Sequence, residues 1–291
     1  MRFAIHYLTE YRYDGPVSDN LNVLRVTPAN ASTQELEDFR VTVDPEARLH
    51  RHTDYFGTQV VEFGITRPHE HLTIDVRARV VTQEPAEPLA GPWSALGDPG
   101  YRGAAAEYLL PQPIEPRWHG GLSDLETEIR GDTPAATVRA LCEVIPDRFE
   151  YRAGVTYVGS TVEDLLEGGA GVCQDFAHLS LALLRDLGIA ARYVSGYFYA
   201  TSGDQADAAS AEVQTHAWIE ALLPAEGGGE PRWSGADPTN RRLAGPEHVK
   251  IGHGRRYGDI PPIKGVFRGV AGSHMESSVR MTRADAGGVP A

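Results

Sequence analysis

The chain has 291 residues, 41% of them hydrophobic and 23% charged, and a net charge of −13. That length buries one large core or two ordinary ones, and two domains are expected. The acidic balance argues against a nucleic-acid backbone or an anionic membrane surface as the main partner. The opening residues, Met1-Arg2-Phe3-Ala4-Ile5-His6-Tyr7, alternate like a strand and lack the continuous apolar stretch of a signal peptide. No run reaches membrane-spanning length, so a cytoplasmic, reduced protein with neither nucleic acid nor membrane as partner is expected.

Residues 1 to about 83 read as strands between turns. Phe3, Ile5, Tyr7, Thr9, Tyr11 and Tyr13 share one face until Asp14-Gly15-Pro16 breaks the run. Residues 22–27 form a short strand stopped by Pro28, and Phe39, Val41 and Val43 alternate up to Asp44-Pro45. Residues 48–56 and 58–65 meet at Asp54-Tyr55-Phe56-Gly57 like a hairpin, and Leu72, Ile74, Val76, Ala78 and Val80 alternate over a longer strand. This spacing predicts an antiparallel β-sandwich. The pairs His50/His52 and His69/His71 lie along strand faces; with no third ligand evident, they read as solvent-facing. Residues 83–121 are rich in proline and glycine and read as a connection, with a short helical turn near 104–110 and with Trp93 and Trp118 pinning it to a domain surface. The expected division is a β-rich N-terminal domain over 1–112, its linker starting near 84, followed by a domain over 113–291 that ends in a β tail.

Beyond residue 132 the period becomes helical. Thr133-Pro134 is an N-cap followed by proline at the first helical position, opening a helix to about Ile145. Its stripe of Val138, Leu141, Cys142 and Ile145 gives Cys142 a buried structural role. Ser160 and Glu163 have capping-box spacing ahead of a short helix that ends at Gly168-Gly169. From Phe176, the residues Leu179, Leu183, Leu184 and Leu187 form the stripe of a buried helix stopped by Gly188. Strands follow at 191–200, 214–223 and 233–237, with a loop expected over 201–211. Helices precede strands, so this half is α+β. The tail returns to β character near 266–268 and 275–281.

Cys173 falls at the start of the buried helix, where unpaired N–H groups and the helix dipole favour a thiolate. A reactive thiol needs a base. In Thr215-His216-Ala217-Trp218-Ile219-Glu220, alternation places His216, Trp218 and Glu220 on one strand face, and Ala236-Asp237-Pro238-Thr239-Asn240 puts a carboxylate at a strand end. His216 would take the Cys173 proton, and Asp237 would fix the imidazole. Trp218 and Gln174 are candidates for the substrate pocket, and His178 reads as packing support.

These blocks, together with Gly188-Ile-Ala-Ala-Arg-Tyr-Val-Ser-Gly196-Tyr, Tyr257-Gly-Asp-Ile-Pro-Pro and Lys264-Gly-Val-Phe-Arg-Gly, resemble the transglutaminase-like superfamily of the papain-like cysteine fold. The resemblance is to the bacterial branch that carries its own β-rich N-terminal region, and it extends over nearly the whole chain. It implies Cys173 as nucleophile, His216 as base and Asp237 as orienting acid. It also implies an upstream side chain as second oxyanion donor beside the Cys173 N–H; Tyr151 is the candidate and Tyr157 the reserve. The reaction implied is acyl transfer through a thioester on a peptide or protein substrate. Hydrolysis is favoured over transfer to an amine, with a non-enzymatic peptide-binding module and a Cys173–histidine metal site as other readings. No calcium loop is present, and no cofactor is called for.

Overall fold

Strand β1 (Arg2–Leu24) runs the length of the N-terminal half in the computed structural model, which describes residues 1–155, 159–200, 210–213, 215–270 and 272–284. It is followed by β2 (Gln34–Asp44), β3 (His50–Thr53), β4 (Gln59–Ile65) and β5 (His69–Thr82). Helices α1 (Pro99–Ala104), α2 (His119–Ile129) and α3 (Pro134–Arg148) come next, then β6 (Glu150–Tyr151), α4 (Val162–Gly168), β7 (Ala170–Gly171) and α5 (Cys173–Asp186). The remaining strands are β8 (Ala191–Phe198), β9 (Ser210–Val213), β10 (Thr215–Leu223), β11 (Arg232–Asp237), β12 (Arg242–Leu243), β13 (His248–Gly254), β14 (Ile263–Arg268) and β15 (Ser273–Arg283).

The N-terminal strands form an antiparallel sheet in the order β2-β5-β1-β15-β9, and the second half of β1 carries β4 and β14. Asp14-Gly15-Pro16 does not end β1. The register against β5 shifts between Arg12 and Val17, and the Asp14 N–H reaches the Gly272 carbonyl at 3.1 Å. The proline thus falls in a bulge, where a missing N–H breaks no ladder bond. The expected hairpin forms: Thr53 faces Gln59, and the Asp54 carboxylate accepts the N–H groups of Phe56 and Thr58. The β tail adds to this sheet, and not to the second domain in which it was expected to end. Residues Phe3 to Tyr13 pair with Arg283 to Ser273, because Val279 and Met281 share the apolar core of Phe3, Ile5 and Tyr7. His69 also departs from its solvent-facing reading: it is buried, donating from Nδ1 to the Arg67 carbonyl and accepting from Asn20 at Nε2.

The second sheet has the order β12-β11-β10-β8-β13. Helix α5 packs on it through Phe176, Leu179 and Leu183, which join Ala217, Ile219 and Ala221 of β10 in one core. Tyr197, Val249 and Ile251 of this sheet, with Tyr199 just past β8, belong to the core of the N-terminal sheet, so the two sheets share an apolar interior. The stretch expected to be a connection, 83–121, holds α1 with Tyr101 buried and the first three residues of α2, whose Leu122, Leu125 and Ile129 are buried beyond it. Trp93 pins the connection, donating to the Gly131 carbonyl at 3.0 Å under the Arg130 guanidinium. Helix α3 starts as expected, with Thr133 accepting from the Ala136 N–H, and continues through Pro146 to Arg148. The capping box of α4 is one residue later than read, on Thr161 and Asp164. The loop read over 201–211 falls outside the described residues as far as 209, and Ser210–Val213 form β9 on β15.

Met281 is fully buried opposite Ile5. Met281→Ala is expected to lower the unfolding free energy by about 2–4 kcal/mol in urea titration, the scale for truncating a buried methionine.

Candidate active site

Cys173 is the first residue of α5, at its N-terminus, after the parallel pair β6–β7 delivers the chain to it. No Ser or Thr caps this helix. The Asp175 carboxylate reaches back to accept the Val172 N–H at 2.8 Å, which holds the turn that presents the thiol. His216 lies at the start of β10 and Asp237 at the end of β11, with Ile219 opposite Ala236 in the ladder between them.

The three side chains meet. His216 Nε2 lies 2.8 Å from Asp237 Oδ2, and the His216 ring is hydrogen-bonded to Cys173 as well, which leaves Nδ1 as the nitrogen facing the thiol. Burial disfavours a charged His216 ring, but the hydrogen bonds of Asp237 and Cys173 and their negative charge outweigh it and raise its pKa to about 10. Asp237 is fully buried, which alone would raise its pKa; the bonds from His216 and His248 instead hold it well below the usual carboxylate range. Cys142 lies within electrostatic reach of this carboxylate, its thiol donating to the Arg242 carbonyl. Burial, then the Asp237 charge, push its pKa up to about 12, so it stays a neutral thiol.

Two residues that the sequence did not single out complete the site. His248, on β13, donates from Nε2 to Asp237 Oδ2 at 3.0 Å, and the Asn240 amide donates to the same oxygen at 2.7 Å. The signal for His248 was present in His248-Val-Lys250-Ile, an alternation with Val249 and Ile251 buried. The ligand atoms of His216, Asp237 and His248 lie within 4.8 Å of one another, a spacing that admits a metal ion. Their protons argue otherwise. The Gly245 N–H donates to His248 Nδ1 at 3.1 Å, so the ring proton occupies Nε2, the nitrogen aimed at Asp237. The group is occupied by its own hydrogen bonds.

Tyr151 is half-exposed on β6 opposite Gly171, its ring 6.3 Å from that of Phe176. Burial, followed by the charges of Cys173 and Asp237, raises its pKa, so its hydroxyl is within electrostatic reach of the thiol. Tyr157 lies outside the described residues. Gln174 occupies the first turn of α5, partly buried. His178 accepts the Tyr257 N–H and packs on Tyr193; burial lowers its pKa to about 4. Trp218 is buried, stacked 6.0 Å from His216. It also forms part of the wall of a cavity of about 1640 Å3, with His248. Glu220, Arg192 and Lys250 line the same cavity as one ion cluster.

The bacterial transglutaminase-like N-terminal region matches residues 3–81, and the transglutaminase-like superfamily core matches residues 123–238. The protein ML0607 of Mycobacterium leprae is 32% identical over 97% of this chain and 99% of its own length. Rv2569c of Mycobacterium tuberculosis is 34% identical over 91% of this chain and 87% of its own; neither has a characterised function. A solved structure, a candidate cysteine protease from Cytophaga hutchinsonii, superposes with a TM-score of 0.73 at 26% identity, covering 100% of this chain and 93% of that one. No helix among the described residues is long and apolar enough to cross a membrane. With a thiol at a helix N-terminus, a histidine and a carboxylate on neighbouring strands, and both halves matched in order, the chain belongs to the transglutaminase-like superfamily, in the branch with the bacterial N-terminal region.

Proposed function

We propose that this protein hydrolyses amide bonds of a peptide or protein through a thioester at Cys173. The observation that carries the reading is the continuous hydrogen-bonded line Cys173–His216–Asp237 at the N-terminus of α5. The His216 ring, with its pKa raised to about 10, already carries the proton at Nδ1 as the Cys173 sulfur attacks the amide carbonyl carbon. The carbonyl oxygen becomes an oxyanion, met by the Cys173 N–H at the helix start and by Tyr151 as second donor. The C–N bond then breaks, the imidazolium proton leaves with the amine, and a thioester remains. Water, deprotonated by His216, attacks the thioester; the acid departs and the thiol is restored. Similarity to a candidate cysteine protease over the whole chain supports water as the acceptor. An amine acceptor would use the same triad.

A glutamine-containing peptide, incubated with and without a primary amine and weighed by mass spectrometry, distinguishes the acceptors. Hydrolysed product with no amine adduct is expected; an adduct in place of acid would overturn hydrolysis. Cys173→Ala should remove turnover by at least about a thousandfold, as for other triad nucleophiles. Tyr151→Phe should lower kcat by about 100-fold if its hydroxyl meets the oxyanion, and an unchanged kcat would remove it from that role.

The Asp237–His216 pair also fixes a pH response. Because the folded protein raises the His216 pKa from 6.5 to about 10, the pair's contribution to stability is fully present below pH 6.5 and is lost as pH rises to about 10. Asp237→Asn is expected to bring His216 titration, followed by NMR, down by more than a unit and to flatten that alkaline loss in thermal melts. A mutant histidine still titrating near 10 would contradict the assignment.

A further inference from the structure

We infer that His248 is a positioning residue of the catalytic machinery: a second histidine that holds the orienting carboxylate at the same oxygen as His216. The inference rests on the proposed role of the Cys173–His216–Asp237 line.

Asp237 Oδ2 receives His216 Nε2 at 2.8 Å and His248 Nε2 at 3.0 Å, so one oxygen is shared by two imidazoles. The local turn holds Oδ1 through the Thr239 and Asn240 N–H groups, and His248 is the donor from a separate strand that fixes the other oxygen, the one His216 uses. Shared between two rings and the Asn240 amide, Oδ2 has one position. The His248 ring is itself fixed. The Gly245 N–H occupies Nδ1, and the ring packs against Phe198 at 4.6 Å and edge-on to Trp218 at 5.2 Å. Its orientation therefore comes from β8, β10 and the turn before β13, independently of Asp237.

The two histidines do different work. His216 faces the thiol and exchanges its proton; His248 has no contact with Cys173 and keeps its Nε2 proton on the carboxylate. That donated bond draws charge from Asp237 and moderates its pull on His216. The titratable groups around Asp237 are His216 on β10, His248 on β13, Cys142 on α3 and Tyr151 on β6, and Cys173 on α5 faces His216; burial keeps Cys142 neutral and raises the Tyr151 pKa. Removing the His248 donor therefore leaves Asp237 more strongly negative toward His216.

The first experiment uses the unaltered protein. NMR of nitrogen-labelled histidine should find His248 with its proton on Nε2 and a bare Nδ1, and an Nδ1-protonated ring would overturn the inference. The second compares His248→Phe with His248→Gln, which restores a donor. His248→Phe should raise the pH of His216 titration by about half a unit or more. It should also lower kcat by about 10- to 100-fold with KM little changed, the scale seen when outer partners of metal-bound histidines are lost. His248→Gln should recover most of both. A folded His248→Phe protein with wild-type titration and kcat would refute the role. The His216 titration needs no substrate, so absence of amide turnover would count against the proposed function and leave this test standing. Should His248→Phe fail to fold, the tautomer and the Gln variant still decide it.

Discussion

Everything at the site depends on keeping one buried carboxylate charged. Taking a carboxylate out of water costs several kcal/mol even after relaxation, and Asp237 has no exposed surface. Five donors offset that cost. The N–H groups of Thr239 and Asn240 serve Oδ1, and His216, His248 and the Asn240 amide serve Oδ2. The local sequence provides three of them: in Asp237-Pro238-Thr239-Asn240 the proline presets the turn, and the aspartate binds the backbone two and three residues on. The other two come from separate strands. A carboxylate supplied in this way is an ion by default, and an ion is what a histidine facing a thiol requires.

Those parts of the site that are local along the chain can be read from the residues alone. The α5 stripe, its Gly188 stop and the Cys173 start follow from a single periodicity, and the alternation around His216 marks its strand. His248 is harder to place, because its meaning depends on β13 pairing with β8, where it lies opposite Phe198. Nothing within His248-Val-Lys250-Ile reports that distant partner. The destination of β15 is hidden for the same reason: alternation shows a strand but not which strand it joins. Helix α2 is masked by Gly120-Gly121, which favour a loop until Leu122, Leu125 and Ile129 find the core. For α4, Ser160 and Thr161 are both suitable caps, and only geometry chooses between them.

The central sheet serves different purposes on its two sides. Ala217, Ile219 and Ala221 support α5 and hence the Cys173 thiol at its start. Trp218 and Glu220, alternating with them, line the large cavity, where Glu220 binds Arg192 and Lys250. Burial would raise the Glu220 pKa, but those two cations hold it near 2, whereas burial lowers Lys250 to about 8. Gly196 is needed at the crossing: a side chain there would meet the Trp218 ring at 2.6 Å and displace the wall beside His216.

The pairing of β1 with β15 bears on how the chain folds as it is made. Residues 2–13 wait for residues 273–283 before that side of β1 is filled, a loop closure across nearly the entire chain. Until then β1 exposes an unpaired edge beside Ile5 and Tyr7, the kind of strand that recruits the wrong neighbour. The second sheet has no such wait, since β8, β10, β11 and β13 lie within 64 residues of one another, from Ala191 to Gly254. Contact order thus sets the sequence of events: the second sheet and α5 can assemble first, and the N-terminal sheet closes last.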